Sequence, residues 1–486
     1  MVRLRYAPSP TGDPHLGNIR TAIWSWLYAR KMNGQFIVRI EDTDQAREVS
    51  GSQDRILKSL EYLGIDWDEG PIKNGNFGPY IQSQRLEIYK QYAEQLVESG
   101  NAYYAFESPE ELKLIREEQK QKGLPPGYDG RGRHVPEEEK NEKLKNGIPH
   151  VIRFKMPLEG NTSFEDLIRG TITVPNHTLD DLILIKSDGY PTYHFAHIVD
   201  DHLMEITHVT RGDEWIPSTP KHVAIIEGLG WDRPIYVHTP VILGPDGGKL
   251  SKRHGARSVL EYQNEGYLPE AIMNYLAMTG WALDDKTNII NVDELINYFD
   301  IKDLLPNPAT FDQDKLDWLN GIYIREMDTI KLSKKLHEQL SKDLQDEEIS
   351  IETVESLTPI VQERISSICD ITDLTGFIFI NEFQVADNTM LERNLIEKDS
   401  QKSQEILLLL CNNLDQIDES KWTSNEIENV MRKLASDTEV KPGKLFMLTR
   451  IIITGQKVSP PLFETMEIVG KNKIIHRLHT AAQKLS

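Results

Sequence analysis

The pattern of apolar positions predicts a strand, a helix and a second strand near the start of the chain. Residues 2–7 form a short strand candidate, and residues 36–40 form an apolar run that suits a buried strand of a parallel sheet. Between them, apolar side chains recur at helical spacing at Ile19, Ala22, Ile23, Trp26 and Leu27. Asn33 and Gly34 end that helix. A strand, a helix and a strand in this order predict a right-handed parallel crossover.

Beyond this unit the pattern changes twice along the chain. Residues 79–189 break the α/β alternation, and strand-like runs return at residues 183–185 and 235–237, which predicts an insertion between two halves of one sheet. From about residue 262 the strand signals fade, and amphipathic helical patterns such as residues 332–344 dominate. The pattern therefore predicts an α/β fold with a parallel sheet, interrupted by an inserted segment and followed by an all-α region.

Composition narrows the class of protein. The chain has 486 residues and a formal net charge of −21, yet residues 441–486 carry eight Lys or Arg against two Glu, which is a local charge of +6. Nucleic-acid binding needs a local basic surface rather than a basic total, although this stretch also fits a solvated basic tail. There is no apolar signal-peptide core, the longest aliphatic block is only residues 406–410, and two cysteines cannot build a disulfide framework. These features predict a soluble, cytoplasmic protein with no membrane partner.

Candidate phosphate-binding chemistry lies between the first strand and the first helix. The segment PSPTGDPHLGN occupies residues 8–18 and runs into the predicted start of the helix. Unpaired N–H groups at a helix N-terminus attract phosphate, Gly17 permits a ligand to approach the backbone closely, and His15 can donate to a phosphate oxygen. Taken alone, the segment also fits a proline-rich turn with an incidental histidine.

A second cluster of charge follows roughly 230 residues later. In the segment GGKLSKR of residues 247–253, two lysines and an arginine follow two glycines. A cationic loop can stabilise negative charge that develops on a triphosphate, although this segment alone also fits a solvated basic loop. The chain contains no P-loop motif and no G-x-G-x-x-G segment after the first strand, which disfavours both of those nucleotide sites.

Together the two segments resemble the paired signatures of class I aminoacyl-tRNA synthetases, which carry a His-Ile-Gly-His-type and a Lys-Met-Ser-Lys-Ser-type motif on a Rossmann-like domain. Within that class, the chain resembles the bacterial-type glutamyl-tRNA synthetase family from about residue 3 to about residue 480. The segments that carry this resemblance are RYAPSPTG (5–12), VRIEDTD (38–44), YPTYH (190–194), KLSKR (249–253), FDQDKLDWLN (311–320) and KPGKLF (441–446). Asn18 ends the first signature, a variant associated with this family.

The resemblance implies six segments, built around a Rossmann-like class I catalytic domain with a parallel sheet. An inserted α+β domain would bind the tRNA acceptor end, and an all-α C-terminal region would bind the anticodon. The implied segments are 1–78 and 190–245 for the catalytic halves, 79–189 for the inserted acceptor-stem-binding domain, 246–328 for a stem-contact domain carrying the Lys-Leu-Ser-Lys-Arg loop, and 329–385 and 386–486 for two helical anticodon-binding subdomains.

The resemblance also implies an activity, that of a glutamate–tRNA ligase. Such an enzyme activates L-glutamate with ATP and then transfers the glutamyl group to the 3′-terminal adenosine of tRNA-Glu. ATP would enter as its Mg²⁺ complex, with the metal held largely by phosphate oxygens and water. The implied partners are tRNA-Glu, L-glutamate and ATP, and a monomer is expected because the family is mostly monomeric.

The same resemblance assigns roles residue by residue. Arg5 would bind the side-chain carboxylate of glutamate, Arg211 would lie near the α-carboxylate, and Glu41 would pair with the ammonium group. The other implied glutamate-binding residues are Ala7, Ser9, Tyr193 and His197. The implied catalytic residues are His15, Gly17, Asn18, Lys249, Ser251 and Lys252, and ATP would contact these except Ser251, together with Glu214. Considered singly, Arg5 and Glu41 also fit an ordinary ion pair at a strand end.

The chain departs from some relatives at two places. Those relatives hold zinc in the inserted domain through cysteines, whereas this chain has Ala105 and no cysteine near Tyr103 or Tyr128, so no structural zinc is expected. Some relatives also have Asn four residues after the equivalent of Tyr193. This chain has His197 there, a change that bears on pocket charge and side-chain recognition.

Three alternatives fit parts of the same sequence. A tRNA-binding relative that has lost activation would not need the intact set of Arg5, His15, Glu41, Arg211, Lys249 and Lys252. Glutaminyl ligases append β-barrels, whereas the C-terminal strand pattern here is weak. Short paralogues that glutamylate a modified tRNA base lack an anticodon-binding region, whereas this chain has roughly 160 residues of helical pattern there.

Overall fold

The computed structural model describes residues 1–123, 127–250, 253, 257–380 and 388–485. The chain divides into two compact units. One unit is formed by Met1–Gln263 with Ile272–Asp312, and the other by Asn264–Ala271 with Gln313–Ser486. Within the described ranges, no helix combines the length and apolar character that crossing a membrane requires.

The first unit mixes strands and helices. The strands found among its described residues are β1 (Arg3–Tyr6), β2 (Gln35–Val38), β3 (Ala102–Ala105), β4 (Val151–Phe154), β5 (Asn161–Asp166), β6 (Gly170–Pro175), β7 (Ile183–Ile185), β8 (His208–Gly212), β9 (Ile235–Thr239), β10 (Ile242–Leu243) and β11 (Ala309–Thr310). The helices that lie wholly or partly in it are α1 (Leu16–Lys31), α2 (Ser52–Tyr62), α3 (Leu86–Glu98), α4 (Pro109–Gln121), α5 (Glu137–Lys145), α6 (Tyr193–Leu203), α7 (Thr219–Gly228), α8 (Val259–Asn264), α9 (Pro269–Met278) and α10 (Val292–Tyr298).

The predicted crossover at the start of the chain is confirmed. β1 and β2 pair in parallel, with Arg3 opposite Gln35 and Tyr6 opposite Val38, and α1 connects them. Most of α1 is buried, which is why its sequence is apolar on more than one face. β2 is shorter than the apolar run that predicted it, and Ile40 continues the sheet only as a single parallel bridge to Ile81.

A second sheet has the strand order β6-β5-β9-β8, with β5, β9 and β8 parallel to one another. The antiparallel hairpin β5–β6 lies inside the segment predicted as an insertion, yet β5 pairs with β9, which lies after that segment. Only alternate residues of β5 are buried, namely Thr162, Phe164 and Asp166, so this strand lacks the apolar run that marks β9. The hairpin was not predicted from the sequence pattern.

A third sheet, β3-β4-β7, is antiparallel and packs with α3, α6 and α7 around a core that includes Tyr89, Leu96, Phe154, Leu184 and Phe195. The remaining strands, β10 and β11, pair in parallel. The six implied segments stay a prediction. The boundary between residues 385 and 386 falls outside the described residues.

Polar and aromatic side chains hold the region around Tyr103 and Tyr128 together. The buried Asp181 carboxylate accepts hydrogen bonds from Arg133, from the Tyr103 hydroxyl and, at 2.9 Å, from the backbone N–H of Met156. The Arg153 guanidinium lies 3.7 Å from the centre of the Tyr128 ring. Asp181 therefore joins β3, β4 and the loop before β7 through one charged group.

We expect Asp181→Asn to destabilise this region by about 3 kcal/mol, because it leaves the largely buried Arg133 guanidinium without its carboxylate. Hydrogen–deuterium exchange of the β3 and β4 amides measures the change as faster local opening. Asp129→Asn is the matched control, since it removes a more exposed ion pair, with Arg131, in the same region. Unchanged protection of β3 and β4 in the Asp181 variant would contradict this account.

The second unit is helical throughout its described residues, which confirms the predicted all-α region. Besides α8 and α9, which overlap it, its helices are α11 (Gln313–Glu326), α12 (Thr329–Asp343), α13 (Ile351–Val361), α14 (Asp370–Thr375), α15 (Asn388–Arg393), α16 (Ser400–Asp415), α17 (Ser424–Asp437), α18 (Pro442–Thr454), α19 (Leu462–Val469) and α20 (Lys471–Lys484). α12 shows why the pattern of apolar residues predicted helices in this unit. The Asp328 side chain caps its first turn, and Leu332, Leu336 and Leu340 bury one stripe.

Candidate active site

A polar cavity of about 670 Å³ opens where strands of the first unit end. Arg5 and Ala7 lie at the end of β1, Glu41 follows β2, and Arg211 lies near the end of β8. The carboxyl ends of parallel strands are where open α/β sheets bind ligands. The implied site residues that line this cavity are Arg5, Ala7, Ser9, His15, Asn18, Glu41, Tyr193, Arg211 and Glu214. The structure thus brings together residues separated by up to about 200 positions in the sequence.

A smaller cavity of about 90 Å³ adjoins the first and shares His15, Asn18 and Glu214 with it. Gly17 and Lys249 line this second cavity. Every implied site residue in the described ranges, apart from His197, therefore lies at one of the two neighbouring cavities. Ser251 and Lys252 lie outside the described residues.

His15 caps the first helix. Its Nδ1 accepts a hydrogen bond of 3.3 Å from the backbone N–H of Asn18, which caps α1 at its start, Leu16. Burial lowers the pKa of His15, and nearby Lys249 lowers it further while Glu214 opposes the change. Since Nδ1 accepts, the neutral ring carries its proton on Nε2 and can donate it to an anion. A side chain at residue 17 would crowd the imidazole, because a Cβ there would lie 3.1 Å from His15 Nδ1.

Lys249 is the described lysine of the second signature. It lies in a turn after β10, where its strand-like bridge to Leu243 fixes the backbone. Its Nζ is 3.8 Å from a carboxylate oxygen of Glu214, and both side chains are about half exposed. The ammonium group is therefore held loosely at the rim of the smaller cavity, where a negatively charged ligand can compete for it.

Arg5 is buried and already partly paired. Its Nε and Nη2 donate to the two carboxylate oxygens of Asp201 at 3.0 and 3.3 Å, and its Nη1 donates to the carbonyl oxygen of Thr210 at 3.1 Å. A guanidinium has five N–H donors, so one N–H on Nη1 and one on Nη2 remain. Those two N–H groups form the fork that a second carboxylate can bind.

Buried charges surround Glu41. Arg39 donates to Glu41 at 3.0 Å and lies 2.8 Å from Asp201, and all three side chains are almost fully buried. Burial raises the pKa of Glu41 to about 7, although Arg39 and Arg5 oppose the shift. Burial would also raise the pKa of Asp201, but Arg5 and Arg39 hold that pKa well below its usual range. The cavity therefore contains one carboxylate whose ionisation responds to a bound cation.

Tyr193 forms an aromatic stack between two rings. Its ring centre lies 4.2 Å from that of Trp215 on one side and 4.7 Å from that of His197 on the other. Burial raises the pKa of Tyr193 to about 12, so the hydroxyl stays protonated. His197 lies behind Tyr193 and does not line the 670 Å³ cavity. It lines a separate cavity of about 380 Å³, so its placement does not match direct contact with a ligand in the larger cavity.

Several groups that complete the site were not predicted from the sequence. Asp200 and Asp201 lie next to each other on α6, and they bind Arg85 and Arg5 respectively. Two adjacent aspartates at buried positions of a mostly apolar helix were the available signal, since buried carboxylates require cationic partners. Trp215 gave no such signal, because a lone aromatic residue is equally consistent with a core position. Within the described ranges, no group of three or more His, Cys, Asp or Glu side chains is arranged to hold a metal ion.

Comparison with protein families agrees with this geometry. The family model described as tRNA synthetases class I (E and Q), catalytic domain, matches residues 1–318, and the model described as anticodon binding domain matches residues 331–482. A parallel sheet with this site at its strand ends, followed by a helical anticodon-binding region, defines a class I aminoacyl-tRNA synthetase, which is an enzyme of the ligase type.

Individual relatives identify the family within this class of enzymes. Glutamate–tRNA ligase of Dehalococcoides mccartyi (strain CBDB1) is 45% identical over 488 residues, which cover 100% of this chain and 98% of that protein. The same enzyme of Marinomonas sp. (strain MWYL1) is 42% identical, with coverage of 100% and 96%. A crystal structure of a glutamate tRNA ligase from Elizabethkingia meningosepticum, in complex with its amino acid, is 36% identical, covers 100% of both chains and has a TM-score of 0.90. The chain belongs to the glutamate–tRNA ligase family.

Proposed function

We propose that the two cavities make glutamyl adenylate from L-glutamate and ATP, and that the glutamyl group then passes to the 3′-terminal adenosine of tRNA-Glu. The observation that carries this proposal is the convergence of Arg5, Arg211 and Glu41 in one cavity. L-Glutamate has two carboxylates and one ammonium group, and these three side chains complement that charge pattern. Charging of tRNA with glutamate is the activity for which the related enzymes are named.

The geometry supports one orientation of glutamate. The free fork of Arg5 binds the side-chain carboxylate, Glu41 pairs with the ammonium group, and Arg211 lies near the α-carboxylate. Ser9 and Tyr193 supply hydroxyl groups at the cavity wall. The α-carboxylate would then lie at the side of the larger cavity that adjoins the smaller one, since Gly212, next to Arg211, lines both cavities.

ATP would occupy the smaller cavity, its rim and the adjoining part of the larger cavity. His15, Gly17 and Asn18 present a helix N-terminus to phosphate, while Glu214 would lie near the nucleotide and Lys249 near the triphosphate. Lys252, which lies outside the described residues, is the second lysine that the resemblance implies for the phosphates. Oxygen ligands from the triphosphate and water suit Mg²⁺, which would enter with ATP and add positive charge to the phosphates.

The reaction proceeds in two displacements. An oxygen of the glutamate α-carboxylate attacks the α-phosphorus of ATP, and pyrophosphate leaves. A ribose hydroxyl of the terminal adenosine then attacks the carbonyl carbon of the adenylate, and AMP leaves. Neither step needs a side-chain nucleophile, so the protein contributes positioning and stabilisation of developing charge.

We also propose that the protein acts as a cytoplasmic monomer.

Glutamate-dependent exchange of pyrophosphate into ATP tests this function. We expect exchange with glutamate in the presence of purified tRNA-Glu, and none with glutamine under the same conditions. Omitting tRNA shows whether the RNA completes the site. Folded protein that binds tRNA-Glu but shows no exchange with or without it would overturn the proposal in favour of a non-catalytic tRNA-binding relative.

The raised pKa of Glu41 leads to a pH prediction. Because the ammonium group of glutamate needs the ionised carboxylate, kcat/KM for glutamate should fall about tenfold per unit as the pH drops below about 7. Burial lowers the pKa of His194 to about 4 and that of His197 well below its ordinary value, so these two imidazoles stay neutral in this range.

The measurement is kcat/KM from pyrophosphate exchange between pH 8 and pH 6. Glu41→Gln serves as the control, since it should lower kcat/KM and remove the acidic limb that this carboxylate causes. A profile that is flat from pH 8 to pH 6 in the unaltered protein would show that Glu41 does not bind the ammonium group.

A further inference from the structure

Three buried histidines, His197, His222 and His238, contact the guanidinium group of Arg211, and the half-buried His194 contacts one of them. Arg211 Nε donates to His238 Nε2 at 3.1 Å, Nη1 donates to His197 Nε2 at 3.3 Å, and Nη2 donates to His222 Nδ1 at 3.1 Å. Nη2 also donates to the Thr219 hydroxyl at 2.9 Å. We call His194, His197, His222 and His238 the histidine shell.

The direction of each hydrogen bond in the shell is fixed by Arg211. A guanidinium only donates, so the ring nitrogen that faces it must be an unprotonated acceptor, and the proton of each neutral ring lies on the other nitrogen. His238 Nδ1 then donates to Asp166 at 2.7 Å, and His197 Nδ1 donates to the Tyr193 carbonyl oxygen at 2.8 Å. The N–H group of each of these two rings therefore has a hydrogen-bond acceptor.

Arg211 fixes the hydrogen-bond direction at His222 in the same way, and this in turn fixes the direction at His194. Its Nδ1 accepts from Arg211, so its Nε2 donates to His194 Nδ1 at 2.9 Å. Burial lowers the pKa of His222 well below its ordinary value, with Arg211 contributing, and burial lowers the pKa of His194 to about 4. The shell is therefore neutral and has one arrangement of protons.

The shell has two consequences for Arg211. Four of its five N–H donors are used, so one N–H on Nη1 remains for a ligand in the cavity that Arg211 lines. The four groups that accept these bonds are neutral, whereas Arg5 is neutralised by Asp201. The positive charge of Arg211 is thus oriented but not cancelled, which favours an incoming carboxylate.

We infer that the histidine shell, together with Asp166, positions Arg211 so that a single N–H meets the α-carboxylate of glutamate. This inference rests on the proposed function, and the shell residues act through Arg211 without touching the substrate. Arg5, with its two free N–H groups, binds a carboxylate through both oxygens. Arg211 binds only one oxygen and leaves the other free to attack phosphorus.

His222 gives the sharpest test, because two substitutions separate its acceptor from its bulk. His222→Asn can place an oxygen where Nδ1 lies, whereas His222→Leu removes the acceptor. Outer-shell partners of metal ligands are commonly worth about 10–100-fold in affinity or activity, and by analogy we expect His222→Leu to raise KM for glutamate at least about tenfold. His222→Asn should stay within about threefold, and KM for ATP should change little in either variant.

The His222→Asn and His222→Leu substitutions are then each combined with Arg211→Ala, and the affinity for glutamate is measured by calorimetry. If the shell acts through Arg211, His222→Leu has no further effect once the guanidinium is gone. An equal effect of Asn and Leu, a parallel rise in KM for ATP, or a full effect in the Arg211→Ala background would each overturn the inference. If His222→Leu does not fold, His197→Gln and His197→Leu supply the same comparison at the Nε2 acceptor.

The outcome is separable from failure of the proposed function. Absence of glutamate-dependent exchange in the unaltered protein defeats the proposed function before any variant is compared. Exchange in the unaltered protein, with no difference between the two His222 variants, defeats the histidine-shell inference alone.

Discussion

Replacing Arg5 with alanine should lower kcat/KM for glutamate about a thousandfold, since truncating one partner of a buried charged pair costs about 4 kcal/mol. Two losses combine in this variant. The side-chain carboxylate of glutamate loses the fork formed by the free N–H groups on Nη1 and Nη2, and Asp201 loses one of its two cationic partners. The measurement is pyrophosphate exchange as a function of glutamate concentration, with KM for ATP expected to stay within about twofold because Arg5 lies outside the smaller cavity.

Two further variants separate these losses. Arg5→Ala combined with Asp201→Asn relieves the poorly compensated carboxylate, so we expect it to recover thermal stability without recovering glutamate activation. Arg30→Ala is the matched control, since it removes an arginine that pairs with Asp66 and Asp68 away from both cavities. A double variant that regains activation would show that Arg5 supports the fold and does not bind the substrate.

Replacing Lys249 with alanine should lower kcat by a factor of about 10²–10³, because stabilisation of charge that develops in the transition state is lost. Before ATP binds, the Lys249 ammonium group has a weak contact with Glu214, because the two charged groups are 3.8 Å apart and both side chains are about half exposed. KM for ATP should change by less than about fivefold, as the group acts mainly when the bond to pyrophosphate breaks. Single-turnover formation of glutamyl adenylate measures this step directly.

The exposure of Lys249 makes the result easy to interpret, because its removal leaves no buried group without a partner. Lys286→Ala, which removes another exposed lysine of the same unit, should leave kcat within about twofold. A Lys249→Ala variant with unchanged kcat and a large rise in KM for ATP would assign this lysine to ground-state binding.

Apolar spacing and capping residues within short segments predicted most of the fold that could be predicted from the sequence. The crossover of β1, α1 and β2 follows from apolar spacing within the first forty residues, and α12 follows from one leucine stripe and a capping aspartate. The hairpin β5–β6 escaped prediction because only one of its faces is buried, and pairing with β9 is decided by residues roughly 70 positions away.

Long-range pairings limited the prediction of the site. The partner of Arg5 is Asp201, 196 positions later, and Asp166 reaches Arg211 only through His238. No spacing rule connects such residues, since the fold alone brings them together. His197 illustrates the same limit. A motif position assigned it to the glutamate pocket, whereas the geometry gives it a place behind Tyr193.

The most direct test of the account is an experimental structure of the protein with a non-hydrolysable glutamyl-adenylate analogue. The account predicts that the side-chain carboxylate accepts from Nη1 and Nη2 of Arg5, that the ammonium group contacts Glu41, and that one N–H of Arg211 reaches the acyl oxygen. The phosphate should lie at the first turn of α1, near His15. An analogue bound with its side-chain carboxylate on Arg211, or with its ammonium group away from Glu41, would contradict the account.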